Sequence, residues 1–411
     1  MNKQLLIIGF VWPEPKSSAA GSRILQLVEQ FQNQGYEITF TSAAKPSNNT
    51  YNLSQLGVTT QSILLNDASF DTFILELQPN IVVFDRFMVE EQYGWRVAEQ
   101  CPNAFRILDT EDFHGLRKGR ALALKDGAQL SLTHLQNDIT KREIASIYRC
   151  DLSLIISEAE IEILTQQFKI DEDILYYLPF LLDTPSDEII NQMPTFEDRQ
   201  HFISIGNFLH QPNYDAVLYM KQSIWPLIRK ELPKAELYIY GAYASEKVIQ
   251  LHNEKEGFLV KGFTEDVNAV MQKAKVCLAP LRFGAGLKGK LIDAMRNGTP
   301  CIMSKIAAEG MFGNFKPNGA ITDEADKFAQ EAIALYKSAA LWKAKQQNGF
   351  QILRGRFNKN DFKSNFAHKL VQLSENLKAY RQNNFIGMLL QHQTLQSTKY
   401  LSKWIEAKNL N

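Results

Sequence analysis

The stretch RFGAGLKGKLIDAMRNGTP, residues 282–300, brings together the residue types that hold an anion. Gly284, Gly286 and Gly289 satisfy G-x-G-x-x-G, and Gly284, Gly289 and Lys290 satisfy most of G-x-x-x-x-G-K. Glycines let backbone amides approach a phosphate closely and permit positive φ. Lys288 and Lys290 add full positive charges. The apolar run KVCLAPL precedes the glycines and KGKLIDAMRNG follows them with helical spacing, so the amides would open a helix, where the dipole favours an anion. Neither familiar phosphate loop fits. Leu291 stands where a P-loop needs a Ser or Thr hydroxyl for magnesium. Glu309 lies twenty residues after Gly289, where a dinucleotide site places its ribose-binding acid. That fingerprint, however, belongs to the first strand–helix turn of its domain, and three strand candidates come before this one. Taken alone, the stretch is equally a glycine-rich turn with solvated lysines.

A second group lies in the first half. ILDTEDFHGLRKGRA places Asp109, Glu111, Asp112 and His114 just after a strand, where ligands of open α/β sheets collect. Such loop residues also serve as helix caps. His114 is the side chain there suited to orient or deprotonate a hydroxyl. Asp171-Glu172-Asp173 has the D-x-D spacing of a metal site but reads as a solvated loop. Asn48-Asn49-Thr50 matches a glycosylation acceptor that a cytoplasmic chain leaves idle. Cys101, Cys150, Cys277 and Cys301 are scattered, with no C-x-x-C pair, which argues against a disulfide framework or a zinc site.

Positioning these residues takes a doubly wound frame. Short apolar runs alternate with amphipathic stretches, the pattern of parallel sheets wrapped by helices. QLLIIGFVW, YEITFTS, NIVVFD, FRILDT and DLSLIIS read as strands, with helices in SRILQLVEQFQNQG and EEQYGWRVAEQC. The polar, proline-bearing DTPSDEIINQMPTFEDRQ breaks this texture and reads as a linker. HFISIG, AELYIYG, GFLVKGF, KVCLAPL and TPCIMS start a second series, and the chain from 324 onward reads as helix. The expected fold is α/β, two Rossmann-like doubly wound domains at 1–183 and 201–380, joined by a linker at 184–200 and followed by a helix at 381–411.

Composition narrows the function classes. Of 411 residues, 45% are apolar, and 45 basic residues balance 45 acidic ones, which weighs against a general nucleic-acid binder. No stretch reaches the ~18 apolar residues that span a bilayer. The first apolar run follows a single lysine, lacks a small-residue cleavage site and runs into Trp12-Pro13-Glu14-Pro15, so it reads as a buried strand. The expectation is a cytoplasmic protein, at most peripheral at a membrane, where the basic, partly amphipathic GLRKGRALALK (115–125) would touch the surface.

Residues 201–311 together resemble the donor-binding half of a GT-B glycosyltransferase of the large retaining group called family 4. FISIGNFLHQPNYDAVLYMKQSIWPLIRKELPKAELYIYG is similar to its opening strand, Pro-Asn helix start and next strand. A G-F-x-x-D loop, APLRFGAGLKGK, an AM-x-x-G-x-P helix exit and an E-G turn then follow in the familiar order. SSAAGSRILQLVEQFQNQGYEITFTS, ILDTEDFHGLRKGRA and DLSLIISEAEIEIL resemble, more weakly, pieces of the acceptor-side domain.

The resemblance implies two domains facing a cleft, with C-terminal helices returning to the first. It implies a sugar transfer from a nucleotide-diphosphate sugar to a glycan, lipid-linked or other hydroxyl acceptor, with retention and with neither metal nor cofactor. Lys288 would be the main diphosphate cation beside the amides of Gly284, Ala285, Gly286 and Leu287, with Arg282 and Lys290 as further cations. Asp293 would accept ribose hydroxyls and Glu309 sugar or ribose hydroxyls, while Gly206 and Asn207 approach the cleft. Gly21, Ser22 and Arg23 would face the diphosphate from the other side, and Asp109 and His114 would serve the acceptor. One departure stands out. Many members carry two glutamates eight residues apart here; the second corresponds to Asp293, and the first falls at Ala285, which has no acid. Two other readings share the architecture, a nucleotide-sugar epimerase and a non-catalytic nucleotide-sugar-binding protein.

Overall fold

The computed structural model describes residues 3–392 together with Tyr400, Trp404 and Lys408. Most of the terminal helix expected at 381–411 lies outside the described residues. The first apolar run forms β1 (Lys3–Gly9), whose last five residues are fully enclosed because helices cover both faces of a parallel sheet. Around it lie β2 (Tyr36–Ser42), β3 (Thr59–Ser62), β4 (Ile81–Asp85), β5 (Phe105–Asp109), β6 (Leu152–Ile155) and β7 (Leu175–Tyr177). They pair in parallel in the order β3-β2-β1-β4-β5-β6-β7. A second parallel sheet contains β8 (Phe202–Ile205), β9 (Leu237–Tyr240), β10 (Phe258–Gly262), β11 (Val276–Ala279), β12 (Cys301–Met303) and β13 (Gly319–Ile321). Its order is β10-β9-β8-β11-β12-β13.

All ten apolar runs became strands. The three others, β3, β7 and β13, are outer strands of their sheets and only three or four residues long. β3 reads Thr-Thr-Gln-Ser and is exposed throughout, so it has no apolar face to advertise it. Each sheet reverses its strand order once, between β1 and β4 and between β8 and β11. Ligands of such sheets bind in the crevice beyond the carboxyl ends at that reversal. The loop at 282–289 follows β11 directly, at the second reversal.

The return to the first domain comes earlier than 381. The helix Lys359–Glu375 buries Phe366, Leu370 and Leu373 in the first-domain core with Phe31 and Leu178. Burying each such side chain contributes roughly 1.5–3 kcal/mol, enough to fix the helix there. The sequence boundary at 380 missed this because the helix shows the same mixed polar and apolar texture as its neighbours. The two chain crossings lie side by side: Leu182 N donates to Phe357 O at 2.7 Å, and Lys359 N to Leu182 O at 3.0 Å.

Candidate active site

The glycines of 282–289 are there for geometric reasons. Gly284 has φ 151° and Gly286 φ 67°, values that L side chains rarely adopt. A Cβ on Gly286 would also lie 2.7 Å from Asp112 Cβ of the first domain. A Cβ on Gly289 would lie 2.7 Å from Ala19 Cβ. Gly289 opens the helix Gly289–Arg296 and Ala19 opens the helix Ala19–Gln32, so two helix N-termini meet across the cleft. Both dipoles point positive ends into one space. Leu291, which breaks the P-loop pattern, is a fully buried core residue on the inner face of its helix.

Cations line the second-domain wall. Lys288 is the N-cap of the Gly289–Arg296 helix, and its Nζ donates to Ala285 O at 2.9 Å and to Gly286 O. Burial pushes its pKa down to about 8, with Glu309 pulling the other way. Lys290 Nζ donates to Asn213 Oδ1 at 2.8 Å, and burial lowers its pKa to about 8 as well. Asn213 also donates to Asn207 O at 2.8 Å and crowds Gly206, so it ties Lys290 to the turn after β8. Burial raises the Asp293 carboxyl to about 6. Arg282 points elsewhere: its guanidinium pairs with Asp215 and lies over the Tyr219 ring at 5.1 Å, on the surface. Leu287 is buried in the second-domain core.

The first-domain wall is rich in carboxyls, several already paired. Arg23 Nε lies 2.9 Å and Nη2 2.8 Å from Asp109 Oδ1, while Nη1 donates to Leu178 O at 2.8 Å. Both side chains are buried, so the structure places Arg23 and Asp109 in an internal ion pair rather than facing a ligand. Gly21 donates its N–H to the capping Ser18 Oγ at 3.0 Å, and Ser22 Oγ donates to Pro15 O at 3.2 Å, so both brace the loop at 13–18. Glu111 has φ 63°, and burial lifts its carboxyl well above the usual range. Burial would raise Asp112 too, but Arg117, His114 and His210 hold its pKa well below that range. His114 begins the helix His114–Lys125; its Nδ1 lies 3.0 Å from Asp112 O and 3.4 Å from Glu143 Oε1. His210, across the cleft, has its pKa lowered to about 4 by burial, against the pull of Asp112.

Contacts between the walls join these two sets. Arg120 Nη1 and Nη2 donate to Glu309 at 2.9 and 2.6 Å, and Nη1 also to Gly284 O at 2.8 Å. Gly286 N donates to Glu160 Oε1 at 2.7 Å. Tyr243 OH donates to Glu14 Oε2 at 2.8 Å. Ala285 packs in the first-domain cluster that holds Phe113, Leu116 and Leu164. Arg120, Glu160, Asn213, Glu14 and Tyr243 were not singled out from the sequence. Arg120 sits inside the stretch 115–125 that suggested a membrane surface; Arg117 and Arg120 both turn to cleft acids instead. Among the described residues no helix is long and apolar enough to cross a membrane. Asp171 of the D-x-D spacing accepts from Asp173 N at 3.0 Å as a helix cap. Among the described residues no group of three or more His, Cys, Asp or Glu could hold a metal ion.

Residues 199–338 match the family described as Glycosyl transferases group 1. A Klebsiella pneumoniae protein, "Uncharacterized 44.6 kDa protein in cps region", is 24% identical over 160 residues, 37% of this chain and 41% of that relative. The match thus spans about two fifths of the relative's length. The structure is similar to sucrose-phosphate synthase from Thermosynechococcus elongatus, with TM-score 0.67 and 16% identity over 92% of this chain and 99% of that one. It is also similar to Anabaena HepE in complex with UDP-glucose, with TM-score 0.65 and 11% identity over 90% of this chain and 100% of that one. Residues 199–338 thus resemble the glycosyl transferases group 1 family, in a chain whose two parallel sheets have the fold of these GT-B neighbours.

Proposed function

We propose that the protein is a retaining, metal-independent glycosyltransferase that moves a sugar from a nucleoside-diphosphate sugar to a hydroxyl of a glycan or lipid-linked acceptor. The observation that carries this is Lys288, held at the junction of two opposed helix N-termini with its ammonium hydrogen-bonded to backbone carbonyls. Transfer breaks the bond from the anomeric carbon to the diphosphate, whose charge grows from about −2 to about −3 as it leaves. Donors aimed at that charge stabilise the transition state more than the bound substrate. Lys288, Lys290 and the amides of Gly284, Ala285 and Leu287 supply them, in the role a metal fills elsewhere. With pKa values near 8 both lysines are charged at neutral pH, and a bound anion raises those values further.

His114 serves the acceptor in this reading. Its Nδ1 faces Asp112 O, so the hydrogen bond places the proton there and leaves Nε2 to orient or deprotonate a hydroxyl. Asp293 and Glu309 take ribose or sugar hydroxyls. The Anabaena neighbour's UDP-glucose puts uridine diphosphate sugars first in any search, and the Klebsiella relative's cps region supports a polysaccharide acceptor. The deciding experiment is a thermal-shift screen against UDP-, GDP-, ADP- and TDP-sugars, followed by donor turnover with and without acceptor. Nucleoside diphosphate release that needs acceptor and survives a chelator supports the proposal. Conversion of donor alone to another sugar would make it an epimerase, and binding without release a non-catalytic protein.

A further inference from the structure

Glu160 belongs to the first-domain helix Glu158–Phe168, yet its carboxyl reaches the second domain. Oε1 accepts from Phe113 N at 2.9 Å and from Gly286 N at 2.7 Å. Oε2 is buried with no partner, and the whole side chain is shut off from solvent. An enclosed carboxyl with one unanswered oxygen is unfavourable, and such groups call for an explanation in function. Asp112 of the adjoining loop, Lys288 of the Gly289–Arg296 helix and Arg23 of the Ala19–Gln32 helix are the charged groups around it.

The distribution of charge across the cleft says which part of a sugar nucleotide belongs near Glu160. Lys288 and Lys290 gather on the second-domain side, with the helix dipole behind them. Glu111, Asp112 and Glu160 gather on the first-domain side. A diphosphate is attracted to the former, whereas the hydroxyls of a neutral sugar suit carboxyls, which exchange hydrogen bonds with them in either protonation state. The position of Ala285 fits the same arrangement. Its methyl fills a first-domain apolar cluster. The neighbouring amide, Gly286 N, is the one Glu160 holds.

We propose that Glu160 hydrogen-bonds a hydroxyl of the transferred sugar, supplying from the opposite domain the carboxyl that residue 285 lacks. This rests on the donor-site reading above. Glu160 holds the loop through Oε1, and Oε2 is the oxygen it offers to the sugar. The sugar, not the nucleotide, is what it selects.

The test is Glu160→Gln, which keeps an acceptor for both amides but removes the ionisable oxygen. Calorimetry measures wild type and variant against UDP and UDP-glucose, and against GDP, ADP and TDP each paired with its glucose conjugate. The expected result is unchanged affinity for the nucleoside diphosphate, within about twofold, and about tenfold weaker binding of the sugar nucleotide. Should the Gln variant fold poorly, Glu160→Asp is measured the same way, since it keeps the carboxyl but withdraws it from the sugar. Equal weakening of both ligands, or none of either, overturns the inference and leaves Glu160 a structural brace. If wild type binds none of the sugar nucleotides, the glycosyltransferase reading fails and the inference falls with it.

Discussion

The two walls of the cleft use charge in opposite ways. On the first-domain wall Arg23 and Asp109 neutralise each other internally, and Asp112 is held by Arg117. On the second-domain wall Lys288 and Lys290 hydrogen-bond uncharged oxygens, two backbone carbonyls and a side-chain amide, while Glu309 acts on Lys288 without a hydrogen bond among the described residues. A charge that already has a counter-charge contributes to the fold. One whose partners are dipoles remains available to an incoming ion. The family resemblance treated Arg23, Asp109 and Lys288 alike as ligand-facing; partner identity separates them.

The largest effect should come from breaking the internal pair. Arg23→Ala leaves Asp109 buried and uncompensated, and should lower stability in urea by about 3–5 kcal/mol. A variant as stable as wild type would place Arg23 with the ligand-facing cations. Lys288→Ala should act in reverse, slowing transfer by ~10- to 100-fold or more while the melting temperature moves little. Near-normal turnover in that variant would remove Lys288 from the site. Arg120→Ala cuts three hydrogen bonds between the walls, and should weaken donor binding by about tenfold and give a more open molecule in solution scattering.

The walls should also titrate in opposite senses. Diphosphate affinity should fall by roughly tenfold as pH rises from 7.5 to 9, because Lys288 and Lys290 lose their protons near 8. In the ligand-free protein those lysines bind protons less tightly folded than unfolded. The unfolded chain then holds the extra protons between about 8 and 10.5, so their contribution to stability rises with pH across that window. Glu160 does the opposite. Its folded carboxyl, raised to about 8 by burial and by Asp112, contributes most below its unfolded value of 4.5, and that contribution is lost as pH rises through about 8. A stability profile that is flat from pH 5 to 10 would contradict both assignments. The smallest effect belongs to Arg282→Ala, whose exposed pair with Asp215 should change stability by less than about 1 kcal/mol and turnover by less than about threefold.

The glycine-rich loop was legible because its chemistry is local. Gly284 and Gly286 are required by their own φ values, and Lys288 caps the helix that begins one residue later. The alternating apolar runs likewise announced ten strands, since a doubly covered parallel strand must be apolar on both faces. What stayed hidden depends on distance along the chain. Arg120 meets Gly284 across 164 residues, and Glu160 meets Gly286 across 126. Neither has a spacing that marks it. Arg23 and Asp109, 86 residues apart, were visible as residues but not as partners, because no pattern in one sequence shows that two charges will cancel. The edge strands failed for another reason: a three- or four-residue strand with an exposed face carries too few apolar positions to show a period.

The hydrogen-bonded crossings at Leu182 and Asn358 have a mechanical consequence. A single peptide tether lets two bodies twist, slide and bend with little resistance. Two tethers bonded flank to flank resist twist and slide, which leaves bending about the line through them as the soft coordinate. The cleft then works like a jaw with one pin. Any opening of the walls would follow an arc, and closing along it would return the carboxyls of one wall to the same register against the lysines of the other.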